Sequence, residues 1–124
     1  MTLKEVLKLK KRNKYHAKKY VSFDGIEHDS VKEGKRWEEL LLLQMAGEIN
    51  TLLRQFPFTL LHSQRDKKGK VIERPIKYIA DFTYYTKDGE YVVEDVKSDA
   101  TKTDEYIIKR KLMLYFFGIR IKEV

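Results

Sequence analysis

The sequence predicts a mixed α/β domain whose elements run helix, three strands, helix, strand. Three observations carry that expectation. Ser30-Val31-Lys32-Glu33 has the form of a capping box in front of an apolar stripe. Two runs rich in β-branched and aromatic residues flank Lys87-Asp88-Gly89, a hairpin turn sequence. A helical stretch then stops at Gly118 and gives way to the alternating Ile119-Arg120-Ile121-Lys122-Glu123-Val124.

The elements follow in order. Residues 1–20 form a basic arm in which Lys8, Lys10, Lys11, Arg12, Lys14, Lys18 and Lys19 alternate with Tyr15 and Tyr20. Such a block is either a self-repelling solvated tail or an arm that orders on phosphates. Residues 21–29 read as a short hairpin or turn around Asp24-Gly25. The first helix runs from the Ser30 cap to about Ala46, with Gly47 as its stop and Trp37, Leu40, Leu41 and Met45 as its stripe. Glu48 to Arg54 is a connector or a short extra turn, and Gln55 to His62 a strand in which Pro57 argues against a fully paired central position.

Ser63 to Arg74 is a polar excursion containing Lys67, Lys68 and Lys70, either a mobile hairpin tip or a loop over a ligand. Ile76 to Tyr85 and Glu90 to Lys97 form the main hairpin. Thr103 or Asp104 caps a second helix, Glu105 to Phe117, with Ile107, Ile108, Leu112, Leu114 and Phe116 as its buried surface. A final strand closes the chain. A single domain over residues 21–124 is therefore expected, with no internal repeat.

Composition narrows the chemistry. With 124 residues, 42% hydrophobic and 36% charged, the chain can bury a modest core under a very polar surface. A net charge of +7 favours a polyanionic partner. The absence of cysteine excludes disulfides and thiolate metal sites. The three histidines stand apart, so a metal here would be held by oxygen and hard in character. No apolar run reaches transmembrane length and no apolar signal core opens the chain, so no membrane partner is expected and a cytoplasmic location follows by default. Gly-rich phosphate loops and serine-centred nucleophile motifs are missing.

One constellation remains. Asp81 lies in the first strand of the main hairpin, and Asp95 and Lys97 project from one face of the second. Two oxygen donors beside an ammonium suit a divalent metal next to a phosphodiester. A two-residue loop at Asp88-Gly89 would place Asp81 opposite Val96, away from Asp95. A three-residue loop Lys87-Asp88-Gly89, with Gly89 left-handed, places Asp81 opposite Asp95 with Lys97 on the same face. The competing reading is an ordinary cross-strand ion pair, although Ile79, Ala80 and Phe82 make the surroundings of Asp81 apolar and an unpaired carboxylate costly there. Glu33 completes the capping box but also lies upstream of Trp37, Leu40 and Leu41 on the buried stripe. Lys109 and Arg110 read as a solvated basic face. Lys111 and Tyr115, four apart, share a helical face and could reach a phosphate together.

Taken together, these segments resemble the PD-(D/E)XK nuclease superfamily. The chain is most similar to a family of small phage and prophage proteins assigned to it and of unestablished function. The segments that carry the resemblance begin with Phe23-Asp24-Gly25-Ile26, Ser30-Val31-Lys32-Glu33 and Ala46-Gly47-Glu48-Ile49 through Leu53-Arg54-Gln55. They continue with Ile79-Ala80-Asp81-Phe82, Val93-Glu94-Asp95-Val96-Lys97 and Lys109-Arg110-Lys111-Leu112-Met113. Ala80 stands where proline often precedes the first acid, and the second acid is Asp95 rather than glutamate.

The resemblance implies a restriction-endonuclease-like core in the order αβββαβ and a Mg2+- or Mn2+-dependent endonuclease acting on DNA. In that scheme Asp81, Asp95 and the Val96 carbonyl hold the metal. Glu33 orients the attacking water or takes a second ion, and Lys97 serves the nucleophile and the phosphate. Lys67, Lys68, Lys70, Lys109, Lys111 and Tyr115 are the expected DNA contacts. Branched, four-way-junction DNA is the leading substrate by family analogy, and a homodimer is the arrangement that would make paired cuts. The location would then be the host cytoplasm for a phage-encoded protein. The alternative is a non-catalytic nucleic-acid-binding module that keeps the fold.

Overall fold

The computed structural model describes residues 2–4 and 18–124. Most of the expected basic arm, including Lys8, Lys10, Lys11, Arg12, Lys14 and Tyr15, lies outside the described residues. The chain falls into two compact units, residues 1–39 and 40–124.

In the first unit, strands β1 (Tyr20–Val21) and β2 (Glu27–His28) pair antiparallel across the Asp24-Gly25 turn. Helix α1 (Val31–Met45) begins where the cap predicts, with the Glu33 N–H donating to Ser30 Oγ at 3.1 Å. Gly34 lies in its first turns for a steric reason: a Cβ there would meet the Tyr20 ring at 2.2 Å. That ring is pinned by its hydroxyl, which donates to Glu38 Oε1 at 2.6 Å. Trp37 Nε1 donates to Asp24 Oδ2 at 2.8 Å, tying the hairpin turn to the helix.

The second unit is built on a four-stranded mixed sheet in the order β3-β6-β7-β8. Its strands are β3 (Ile49–Leu61), β6 (Ile76–Thr86), β7 (Tyr91–Asp95) and β8 (Lys122–Glu123). Helix α2 (Asp104–Phe117) connects β7 to β8, which runs parallel to it, as a crossover must. Together with α1 this is the expected αβββαβ order, an α/β core.

The strand expected to start at Gln55 starts at Ile49 instead. A register shift between Asn50 and Leu53 and a left-handed Thr51 (φ 55°) break the alternation that would have marked it. The Gln44 side chain accepts the Leu52 N–H at 2.9 Å beside this bulge. Pro57 is tolerated because β3 is an edge strand. The polar excursion forms the small hairpin β4 (Gln64–Arg65) and β5 (Val71–Glu73). Asp66 Oδ1 accepts the N–H groups of Lys68 and Lys70 at 2.9 and 3.0 Å in its turn, which leaves the lysines exposed.

The core of this unit gathers Leu60, Tyr78, Ala80, Val93, Tyr106, Met113 and Ile121. Two expectations need correction. Met45 is exposed rather than part of the α1 stripe. In α2 the buried residues are Tyr106 and Met113, while Ile108, Leu114 and Phe116 face outward. Apolar residues lie all round α2, so periodicity could not choose its inner face; the contact with Val93 and Ile121 does. The final strand is also shorter than its alternation suggests, covering only Lys122–Glu123.

Candidate active site

The main hairpin has the three-residue loop. Gly89 is left-handed (φ 85°), its N–H donates to the Thr86 carbonyl at 2.9 Å, and the Thr86 N–H donates to the Glu90 carbonyl at 2.8 Å. From there the ladder runs Tyr85↔Tyr91, Tyr84↔Val92, Thr83↔Val93 and Phe82↔Glu94. One step further in this register, Asp81 faces Asp95.

At that step the two strands part. The Val96 N–H donates to Asp81 Oδ2 at 2.8 Å, so a side-chain carboxylate stands where a strand carbonyl would continue the ladder. On the other side of β7, Val124 bonds both the Asp95 carbonyl and the Lys97 N–H at 3.0 Å. Backbone groups of successive strand residues point to opposite edges. The Val96 N–H therefore faces Asp81, on the edge of the chain opposite the one that Val124 binds.

Asp95 is buried, and both its oxygens are engaged. Lys97 Nζ lies 3.1 Å from Oδ1, and the Tyr78 hydroxyl donates to Oδ2. Burial pushes the Tyr78 phenol far up, and the hydrogen bond and charge of Asp95, with the charge of Asp81 behind them, push it further. It therefore stays a proton donor at neutral pH. Lys97 Nζ also sits 4.2 Å from the centre of the Tyr106 ring, a cation–π contact. The neighbouring Glu94, fully buried, points the other way and accepts from the Tyr84 hydroxyl.

Gln55 is more than the polar start of a strand. The pairs Arg54↔Phe82 and Phe56↔Ala80 place it across from Asp81, and its Nε2 donates to Asp81 Oδ1 at 3.4 Å. Its φ of 53° is left-handed, a conformation that costs a residue with a side chain about 1–2 kcal/mol. Strain of this kind gathers at functional sites.

Asp81 on β6, Asp95 at the end of β7, and Val96 and Lys97 just beyond it are thus drawn together. Glu33 belongs to the first unit, buried in the first turn of α1. Among the described residues no group of three His, Cys, Asp or Glu could hold one metal ion. Lys67, Lys68 and Lys70 stand exposed on the β4–β5 hairpin. Lys109 is paired along the helix with Glu105 at 2.9 Å, and Lys111 and Tyr115 are exposed on α2. Arg110, expected to be solvated, instead reaches Glu123 Oε2 at 3.3 Å, beside the Tyr106 hydroxyl at 2.8 Å. The i,i+4 spacing of Tyr106 and Arg110 was the available signal for this pair.

A family model described as protein of unknown function (DUF1064) matches residues 12–122. Comparison with curated proteins and with solved structures gives no match. Among the described residues no helix is long and apolar enough to cross a membrane.

Proposed function

We propose, for a chain that belongs to the DUF1064 family, that it is a Mg2+- or Mn2+-dependent endonuclease hydrolysing phosphodiester bonds in DNA. The observation that carries the reading is the parting of β6 and β7, where Asp81, the Val96 backbone, Asp95 and Lys97 meet.

The donor set suits the metal. Two carboxylates and a carbonyl are hard oxygen ligands, and Mg2+ is commonly held by one or two carboxylates with water and phosphate oxygens completing its shell. Bound between Asp81, Asp95 and the Val96 carbonyl, the ion would supply Lewis-acid activation of water and offset phosphate charge.

The chain's own groups do the rest. Lys97 brings an ammonium to Asp95 Oδ1, where it can offset negative charge growing on the phosphate. Tyr78 holds the other oxygen of Asp95, fixing the carboxylate's orientation. The Gln55 amide steadies Asp81. Glu33 enters on the resemblance alone, as do branched DNA as the substrate and a homodimer making paired cuts. The net charge of +7 supports a nucleic-acid partner.

The test is cleavage of supercoiled, linear and four-way-junction DNA with Mg2+ or Mn2+ by wild type, Glu33→Gln, Asp81→Asn and Lys97→Met. Cutting by wild type that Asp81→Asn and Lys97→Met lose supports the proposal. DNA binding with no cutting by wild type would leave a non-catalytic binding module instead.

A further inference from the structure

We propose that Tyr106, Arg110 and Lys102 form a seat for a DNA backbone phosphate next to Lys97, and that Glu123 occupies this seat in the free protein. The inference rests on the nuclease reading and specifies where its substrate's backbone runs.

Three donors, two from α2 and one from the loop before it, converge on one carboxylate in the second unit. Tyr106, in the first turn of α2, donates its hydroxyl to Glu123 Oε2 at 2.8 Å. Arg110, one turn later, brings Nη1 to 3.3 Å from the same oxygen. Lys102, from the loop before α2, places Nζ 3.6 Å from Oε1. Two cations thus share a single negative charge, and the cluster carries a net surplus of one. Tyr106's hydrogen bond, with the charges of Lys102 and Arg110 behind it, holds the Glu123 carboxyl below the usual glutamate range despite burial. Glu123 is therefore ionised across the neutral range.

The cluster adjoins the candidate active site. Parallel pairing of Asp95 with Glu123 sets the two acids side by side on neighbouring strands. The Tyr106 ring that holds Glu123 also carries Lys97 on its face. Side chains of Lys102, Arg110 and Glu123 are 37%, 37% and 25% exposed, so solvent and a ligand can reach all three.

A phosphodiester matches the occupant. Like a carboxylate it carries one negative charge on two terminal oxygens, and arginine takes either through parallel N–H bonds. Displacing Glu123 would hand two cations to the phosphate and release the counterions they replace there. Glu123 then yields the seat when a backbone phosphate takes its place.

The experiment is equilibrium binding to duplex and four-way-junction DNA across a salt series, with Ca2+ in place of Mg2+ so that cleavage plays no part. Arg110→Ala and Lys102→Ala should each flatten the slope of log K against log salt by about 0.9, the value for one phosphate contact. Arg110→Lys should keep the slope. Glu123→Gln should bind roughly two- to fivefold tighter, the size of an exposed ion pair set free. Lys87→Ala, at the far hairpin tip where Lys87 pairs with Glu48, should bind as wild type. Far-ultraviolet circular dichroism confirms that each variant is folded. Unchanged slopes in both alanine variants, or weaker binding by Glu123→Gln, overturn the seat. Wild-type cutting with unchanged slopes sinks the seat and leaves the nuclease. Flattened slopes without any wild-type cutting sink the nuclease and leave the seat.

Discussion

Asp81 takes the backbone N–H of Val96 at 2.8 Å, and in doing so it replaces the strand carbonyl that would have kept β6 and β7 paired. A single acid therefore both ends the ladder and turns the polar edge of Val96 into part of the site. Its consequences can be measured.

Metal should stabilise the fold through Asp81. A ligand that binds only the native state at one hundred times its dissociation constant adds about 2.7 kcal/mol. Thermal melts with Mn2+ and with EDTA should differ for wild type and coincide for Asp81→Asn. The same Mn2+ shift in both would place the ion elsewhere.

Lys97 is half of a buried pair, since the side chains of Lys97 and Asp95 are 16% and 5% exposed. Removing one partner of such a pair costs about 3–5 kcal/mol, because the other charge is stranded. Urea unfolding should show that loss for Lys97→Met. The double variant Lys97→Met with Asp95→Asn should regain much of it, and its failure to do so would mean the pair is not coupled.

The left-handed φ of Gln55 makes a separable prediction. Gln55→Gly should be more stable than Gln55→Ala by about 1 kcal/mol, since glycine accepts that conformation without a Cβ clash. Both lose the amide on Asp81, so both should lose cleavage alike. Retained cleavage in either variant would show that the amide is not needed.

Gly34 in α1 reverses the usual rule. Alanine in a helix is normally worth about 0.5–1 kcal/mol over glycine. Here its Cβ would press into the anchored Tyr20 ring, so Gly34→Ala should destabilise by about 1–3 kcal/mol. Adding Tyr20→Ala to Gly34→Ala should abolish the further penalty of the alanine at position 34, measured against Tyr20→Ala alone.

Glu123 sets a pH dependence of known sign. Its folded-state pKa is depressed, first by the Tyr106 hydrogen bond. The stability it contributes is then fully present above the ordinary glutamate value of about 4.3 and is lost as pH falls through the lower folded-state value. The stability gap between wild type and Glu123→Gln should therefore close on acidification below pH 4 and stay constant from pH 6 to 8.

The parts of the site that could be read in advance are those set by local rules. Lys87-Asp88-Gly89 allowed a glycine-closed three-residue turn, and the register of that turn sets Asp81 opposite Asp95, one step beyond the Phe82↔Glu94 pair. Period-two alternation then put Lys97 beside Asp95. What escaped the reading depends on tertiary contacts. Thr51 and Gln55 take left-handed conformations between residues of β3 that pair with β6, and no local signal marks them. Tyr78, Tyr106 and Glu123 come from separate elements and meet the site through packing that no spacing along the chain encodes. The inner face of α2 was hidden because Ile108, Leu114 and Phe116 make its outer face equally apolar.

Metal-dependent hydrolysis at Asp81 is decided by the rate of nicking of supercoiled DNA as Mg2+ is raised, at saturating protein, for wild type and Asp81→Asn of matched stability. The rate should rise and saturate with Mg2+ for wild type and fall at least about a hundredfold for Asp81→Asn, the scale expected when a main electrostatic contribution to the transition state is removed. Nicking that needs no divalent ion, or that Asp81→Asn performs as well as wild type, would contradict a hydrolytic site at the parting of β6 and β7.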